Sequence, residues 1–275
     1  MSGWTDRLQE IREKEIANKN IRVLLVEGTD DKAAYLNLLT KQFGNNWSTK
    51  WAIAHANGKG PLLKMLREES SWVGIVDHDE WNSIDIQHAR DTHSNLCVLP
   101  RYCMESYLID PSEIWNALTT ENRQTITNQI GGYNAFEKLL ILDLKQWVRH
   151  GVLWSEIQPL RSGLKSLLYQ KEILEFEHAQ DDVYIQNKLQ EWHQYLDPQT
   201  IFARLEAKWR FADTQLSQQE QLHKVVHGKW FWKRHVLQVL QRLLGQEDEE
   251  EYRKHLWSRL NVPTDWSDIL SKLAP

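Results

Sequence analysis

The chain has 275 residues, 33 basic against 38 acidic, a formal net charge of −5 and 41% hydrophobic residues. That is enough apolar material for a large core, and the negative balance excludes a polybasic protein that holds nucleic acid by overall charge; contact would need a local basic patch or a metal ion. No apolar stretch approaches the roughly 20 residues that cross a bilayer, and two cysteines, Cys97 and Cys103, are too few for a disulfide framework or a four-ligand zinc site.

The first residues, MSGWTDRLQEIREKEIANKN, are charged and amphipathic and lack an apolar h-region, which predicts no signal peptide and a cytoplasmic protein, with a helix over Asp6–Ala17. The β-branched run Ile21–Val26 predicts a strand. It ends at Glu27-Gly28, after which Thr29 or Asp30 caps a helix with the apolar stripe Ala33, Leu36, Leu39 and Phe43. Trp51–Ala56 reads as a second strand, Asn57–Gly60 as a turn, and Pro61 as the start of a helix to about Glu69. Trp72–Val76 is the third strand and runs straight into Asp77-His78-Asp79. Leu96–Leu99 is the fourth and leads through Pro100 into a helical stretch, Arg101–Leu108. Alternation of strand and helix predicts an α/β fold, a parallel sheet with helical crossovers.

After Asp110-Pro111 the strand signal ends. Helical periods follow at Ala135–Val148, Leu160–Glu177, Val183–Tyr195, Ile201–Phe211, Trp230–Leu244 and Trp266–Leu273. The acidic run Gln246–Glu251 reads as a solvated helix face or loop. The expected organisation is an α/β domain over residues 1–112 and an all-helical domain over 113–275.

In an open parallel sheet the ligand crevice lies beyond the carboxyl ends of the strands. Glu27 and the Asp77/Asp79 pair stand at two such ends, and residues i and i+2 of an extended backbone share a face. Carboxylates gathered there repel one another unless a cation sits among them, and hard oxygen ligands favour Mg²⁺ or Mn²⁺. Asp31, about one helical turn past Glu27, either points back into the same site or caps the helix; Glu105 is either a further carboxylate at that edge or an ordinary helix-surface residue. Asn57-Gly58-Lys59-Gly60 lacks the Walker A spacing and reads as a simple βα turn. The segment His227–His235 interleaves cations with aromatics, as phosphate contact and base stacking require, or as a helix with a core stripe and a basic outer face would. His223 and His227 have i,i+4 spacing without a third ligand in view, which argues against zinc.

VEGTDD at Val26–Asp31 and GIVDHD at Gly74–Asp79, followed by RYCMESYLIDP and a late HGKWF, resemble the motifs of the TOPRIM fold, the metal-dependent domain of topoisomerases, primases and OLD-type nucleases. The arrangement is similar to a TOPRIM-like family of unknown function that includes the nuclease effector of PARIS-type anti-phage systems. The resemblance implies a Mg²⁺- (or Mn²⁺-) dependent nuclease of DNA or RNA, tRNA included, with endonuclease favoured over exonuclease. It implies an ABC-type ATPase partner, and a homodimer is compatible with it. It assigns Glu27, Asp77 and Asp79 to the acidic core, Asp31 and Glu105 to further metal ligation, Lys229 to charge stabilisation, and Glu27 to a ligand or acid/base role. Trp81 departs from the pattern, standing where many members carry another acid. A rival reading is a non-catalytic module that docks an ATPase.

Overall fold

The computed structural model describes residues 3–17, 21–169 and 178–275. Its centre is a four-stranded, all-parallel sheet built from β1 (Arg22–Val26), β2 (Trp51–His55), β3 (Val73–Val76) and β4 (Leu96–Val98), in the order β2-β1-β3-β4. The N-terminal helix α1 (Trp4–Glu10) continues as a π-helical turn to Ile16. The crossovers are α2 (Thr29–Phe43) with the short α3 (Trp47–Lys50), then α4 (Lys59–Glu68) and α5 (Ser83–Thr92). The α/β expectation therefore holds.

Strand β1 shows why these residues choose a central position. Val23 and Leu25 enter one apolar layer with Leu62, Met65 and Val76, while Leu24 and Val26 enter the opposite layer with Tyr35, Leu38 and Trp47. Period-two alternation sends apolar side chains to both faces, as a strand covered on both sides requires. Each such side chain, fully buried, contributes roughly 1.5–3 kcal/mol.

The chain leaves β1 toward β2 on one side and returns to β3 on the other, so the order reverses between β1 and β3. A parallel sheet opens a crevice at such a switch point, beyond the strand ends. Glu27 directly follows β1 and Asp77 directly follows β3.

Two sequence expectations change here. Helix α5 was not anticipated, because only Ala89 of it is buried and Ile84 lies exposed, leaving no apolar stripe. Its signal was the cap: Asn82 accepts from the N–H groups of Ile84 and Asp85. The stretch Arg101–Leu108 forms only a 3₁₀ turn, Met104–Tyr107, inside otherwise irregular and wholly buried chain.

The helical remainder comprises α6 (Pro111–Ala117), α7 (Thr120–Ile130), α8 (Tyr133–Leu140), α9 (Leu144–Ser166), α10 (Asp182–Tyr195), α11 (Pro198–Gln215), α12 (Gln218–Glu220), α13 (Gly228–Phe231), α14 (Leu237–Leu244), α15 (Glu249–Arg259) and α16 (Ser267–Leu273). Helix α13 runs through a π-helical segment, Trp232–Val236, into α14 as one rod. The expected helix Ala135–Val148 is two helices, broken where Asp143 takes a left-handed φ of 58°. The expected helix Leu160–Glu177 begins inside α9, and its residues 170–177 lie outside the described ones. The acidic run opens α15, capped by Asp248.

One apolar layer includes Leu24, Val26 and Trp47 from before residue 112 and Phe231, Trp257, Trp266 and Leu273 from after it. Trp47 donates its indole N–H to the Leu273 carbonyl at 3.0 Å, and the Arg22 guanidinium donates to Lys272 and Ala274 carbonyls. No helix among the described residues is long and apolar enough to cross a membrane.

Candidate metal centre

At the switch point Glu27 reaches across to β3, where its Oε1 accepts the Asp77 backbone N–H at 2.9 Å. Asp77 is 6% exposed; its Oδ1 accepts the Met104 N–H and its Oδ2 the Lys229 ammonium, both at 3.1 Å. Asp79 stands two residues on, in a left-handed turn with φ 48°, its N–H donated to the Tyr102 carbonyl at 2.7 Å. A non-glycine residue held there carries backbone strain that only a well-determined surrounding maintains. A second clip, the Tyr102 hydroxyl donating to Glu80 at 2.7 Å, pins the same turn. The result brings one carboxylate oxygen each of Glu27, Asp77 and Asp79 within 4.8 Å of one another.

Lys229 arrives from far along the chain, and its neighbour explains how. A Cβ on Gly228 would lie 2.7 Å from both Cys103 Sγ and Ser106 Oγ. Glycine therefore lets α13 sit flush on the 3₁₀ turn, and the next residue extends over Asp77.

The expected five ligands divide into three and two. Asp31 lines the same cleft, but its Oδ2 accepts the Gly28 N–H at 3.1 Å, so the capping role is also realised. Glu105, 5% exposed, accepts Arg253 on Oε1 at 3.2 Å, while its Oε2 has no hydrogen-bond partner among the described residues. Glu105 is thus no helix-surface residue. A buried carboxylate oxygen without a donor is costly, and a cation in the cleft is the partner its chemistry fits. The cleft, about 570 Å³, is lined by the acids Glu27, Asp31 and Glu105 and by the cations Lys229, Lys233 and Arg253.

Burial raises Glu27 to about 7, with Asp79 adding to it and Lys59 opposing. Burial, then the neighbouring Glu105, raises Asp31 to about 6. Burial alone would lower Lys229, but the Asp77 and Glu105 carboxylates outweigh it and hold the ammonium above its ordinary value. Burial lowers His227 to about 4, which keeps it neutral at pH 7, packed against Tyr102 and Trp154.

Sequence reasoning missed Lys59 and Arg253. Lys59 donates to the Asp77 carbonyl at 2.7 Å and to Asp79 Oδ2 at 2.8 Å, and lies 4.5 Å from the centre of the Trp81 ring. Its signal was the Asn57-Gly58 turn after β2, whose left-handed φ values of 64° and 115° aim the next residue inward. Arg253 follows an acidic run and had no signal.

A second group, Asp110, Glu113 and His223, also brings its ligand atoms within 4.8 Å of one another. Its acceptors are taken. Asp110 accepts from Ser112 N–H and hydroxyl, Glu113 N–H, His223 and Gln219, and Glu113 accepts Arg101 on both oxygens. His223 thus faces Asp110 while His227 packs among aromatic rings, so their i,i+4 spacing makes no joint site.

Compared with protein-family models, with curated proteins and with solved structures, the chain matches none of them.

Proposed function

We propose that the chain is a TOPRIM-like, Mg²⁺- or Mn²⁺-dependent nuclease. The observation that carries this reading is the meeting of Lys229 with Asp77 at the sheet's switch point, where three strand-end carboxylates converge. Glu27, Asp77 and Asp79 would hold the ion, with Asp31 and Glu105 facing the same cleft. A bound divalent ion there would neutralise a scissile phosphate and lower the pKa of a water. Lys229, which lines the cleft, would offer its ammonium to negative charge growing on a phosphate, and a preorganised ammonium acts most strongly in the transition state. Glu27, raised by burial in the metal-free chain, would serve as a ligand or as a general acid/base. Lys233 and Arg253 offer further phosphate contacts along the cleft. The substrate is DNA or RNA, tRNA included, and by resemblance the chain acts as a defence effector in the cytoplasm, with an ABC-type ATPase.

The rival, a docking module, draws on Val183 and Leu189 of α10 and Phe202 and Phe211 of α11, all exposed. One experiment separates the two. Purified chain is incubated with Mn²⁺ and end-labelled single- and double-stranded DNA, RNA and tRNA, alone and with an ABC-type ATPase. Cleavage lost in Asp77→Ala supports the nuclease; cleavage that persists in Asp77→Ala, or none under any condition, overturns it.

A further inference from the structure

Lys59 is placed where a lysine is unfavourable unless something holds it. It is the first residue of α4, at the positive end of the helix dipole, with its side chain only 16% exposed. What holds it is the acidic centre on one side and an aromatic face on the other: the Asp79 carboxylate, the Asp77 carbonyl and the Trp81 ring. Two left-handed turns, Asn57-Gly58 and Asp79, face one another across this single ammonium. Strain on both sides of one contact marks a position that the surrounding fold over-determines.

We propose that Lys59 is a built-in cation of the centre, a positioning residue that does on the Asp79 side the charge work of a second metal ion, so that the Glu27–Asp77–Asp79 group takes one divalent ion. The charges support this count. Among Glu27, Asp77 and Asp79 alone, with Asp31 and the Glu105–Arg253 pair belonging to the adjoining cleft, Lys229 neutralises one carboxylate and Lys59 a second, leaving a single negative charge. One divalent ion and one phosphodiester then close the balance to zero. A second ion among the same three carboxylates would leave two positive charges in excess. Trp81 fits the same logic: an indole face attracts an ammonium, where another carboxylate would invite another metal.

This inference rests on reading the cleft as a metal-dependent nuclease, and its test separates the two. Calorimetric titration of the full chain with Mn²⁺ compares wild type, Lys59→Met and Lys59→Arg. Methionine keeps the length and removes the charge, so Mn²⁺ should bind roughly tenfold tighter, because a fixed positive charge no longer opposes the ion. Turnover on labelled DNA or RNA should fall while KM changes little, and Lys59→Arg should restore both affinity and rate. A residue that merely shapes the Asp79 turn gives the opposite sign, weaker Mn²⁺ binding. Weaker or unchanged affinity in Lys59→Met overturns the proposal and leaves the nuclease reading standing. A wild-type chain that binds no Mn²⁺ overturns both. Should Lys59→Met not fold, Trp81→Leu serves: freeing the ammonium from its brace should tighten Mn²⁺ binding by a smaller factor, and unaltered or weaker binding overturns the role.

Discussion

Two acidic groups among the described residues each gather three ligand atoms within 4.8 Å and are chemically unlike. Around Asp110, every carboxylate oxygen of Asp110 and Glu113 already accepts a donor from the protein. Around Asp77, Glu27 lines an open cleft with Asp31, Asp79 sits in a strained turn, and nearby Glu105 keeps a buried oxygen without a donor. Closeness of acids is therefore no sign of a metal site by itself. An adjoining cleft, a strained turn and the donorless Glu105 oxygen nearby are the distinguishing features.

The sharpest way to break that contrast is by paired substitution. Asp77→Ala should lower cleavage by roughly a hundredfold or more, as loss of a metal ligand does. Its metal-free melting temperature should hold, since relief of repulsion among the carboxylates offsets the lost bonds from the Met104 N–H and Lys229. Asp110→Ala should do the reverse, costing on the order of 3 kcal/mol by orphaning several donors around a residue 3% exposed. Its Mn²⁺ affinity should not change. Thermal melts and Mn²⁺ titrations on the two variants check this, and a destabilised Asp77→Ala would erase the distinction.

Next in size is Lys229→Ala. Single-turnover rates at saturating enzyme should fall by tens to hundreds of fold, with substrate affinity changed little. A phosphate-anchoring surface lysine would instead weaken binding and leave the bound-state rate intact.

Proton linkage sharpens the comparison further. Glu27 in the folded, metal-free chain is raised to about 7 from an ordinary 4.5. The folded state therefore holds a proton that the unfolded state has lost between those values, and metal-free stability contributed by Glu27 falls as pH rises across that window. Glu27→Gln should flatten this slope. An incoming cation must displace the same proton, so Mn²⁺ affinity should rise from pH 5.5 to about 7 and then level. Asp110 has the opposite sign: burial raises it, but hydrogen bonds from His223 and Ser112 outweigh burial and hold it well below its ordinary value. Its contribution is present above the ordinary value and is lost only in strong acid.

The smallest effect expected is at Arg253. Arg253→Ala should weaken binding of labelled single-stranded DNA a few-fold and reduce the salt slope by about one. An unchanged slope would confine Arg253 to its bond with Glu105.

Much of the centre was legible because strand-end acids follow from two simple periods. Ile21–Val26 and Trp72–Val76 stop where Glu27 and Asp77 begin, and a parallel sheet fixes what strand ends share. Lys229 was reached only through resemblance, since no local pattern tells a helix to cross 152 residues of sequence back to Asp77. Lys59 was hidden by a turn that looked like ordinary punctuation between strand and helix. Arg253 was hidden by its acidic neighbours, because a charge run reads as solvated until packing shows which face turns inward. Helix α5 escaped for a related reason: a helix that buries one alanine has no hydrophobic period to read.

The order in which the centre's parts lie along the chain has a consequence for synthesis. Glu27, Asp77, Asp79 and Glu105 are all translated before residue 112, whereas Lys229, Arg253 and the helix α16 that closes over Trp47 come only after residue 228. A nascent chain that has emerged as far as α12 carries the carboxylates with Lys59 bonded to Asp79 but without Lys229, and with Trp47 still uncovered. The lining cations Lys229, Lys233 and Arg253 join the cleft only after the chain has passed residue 228. Completion of the cleft therefore waits on α13 and α15 rather than on the folding of the sheet that bears the acids.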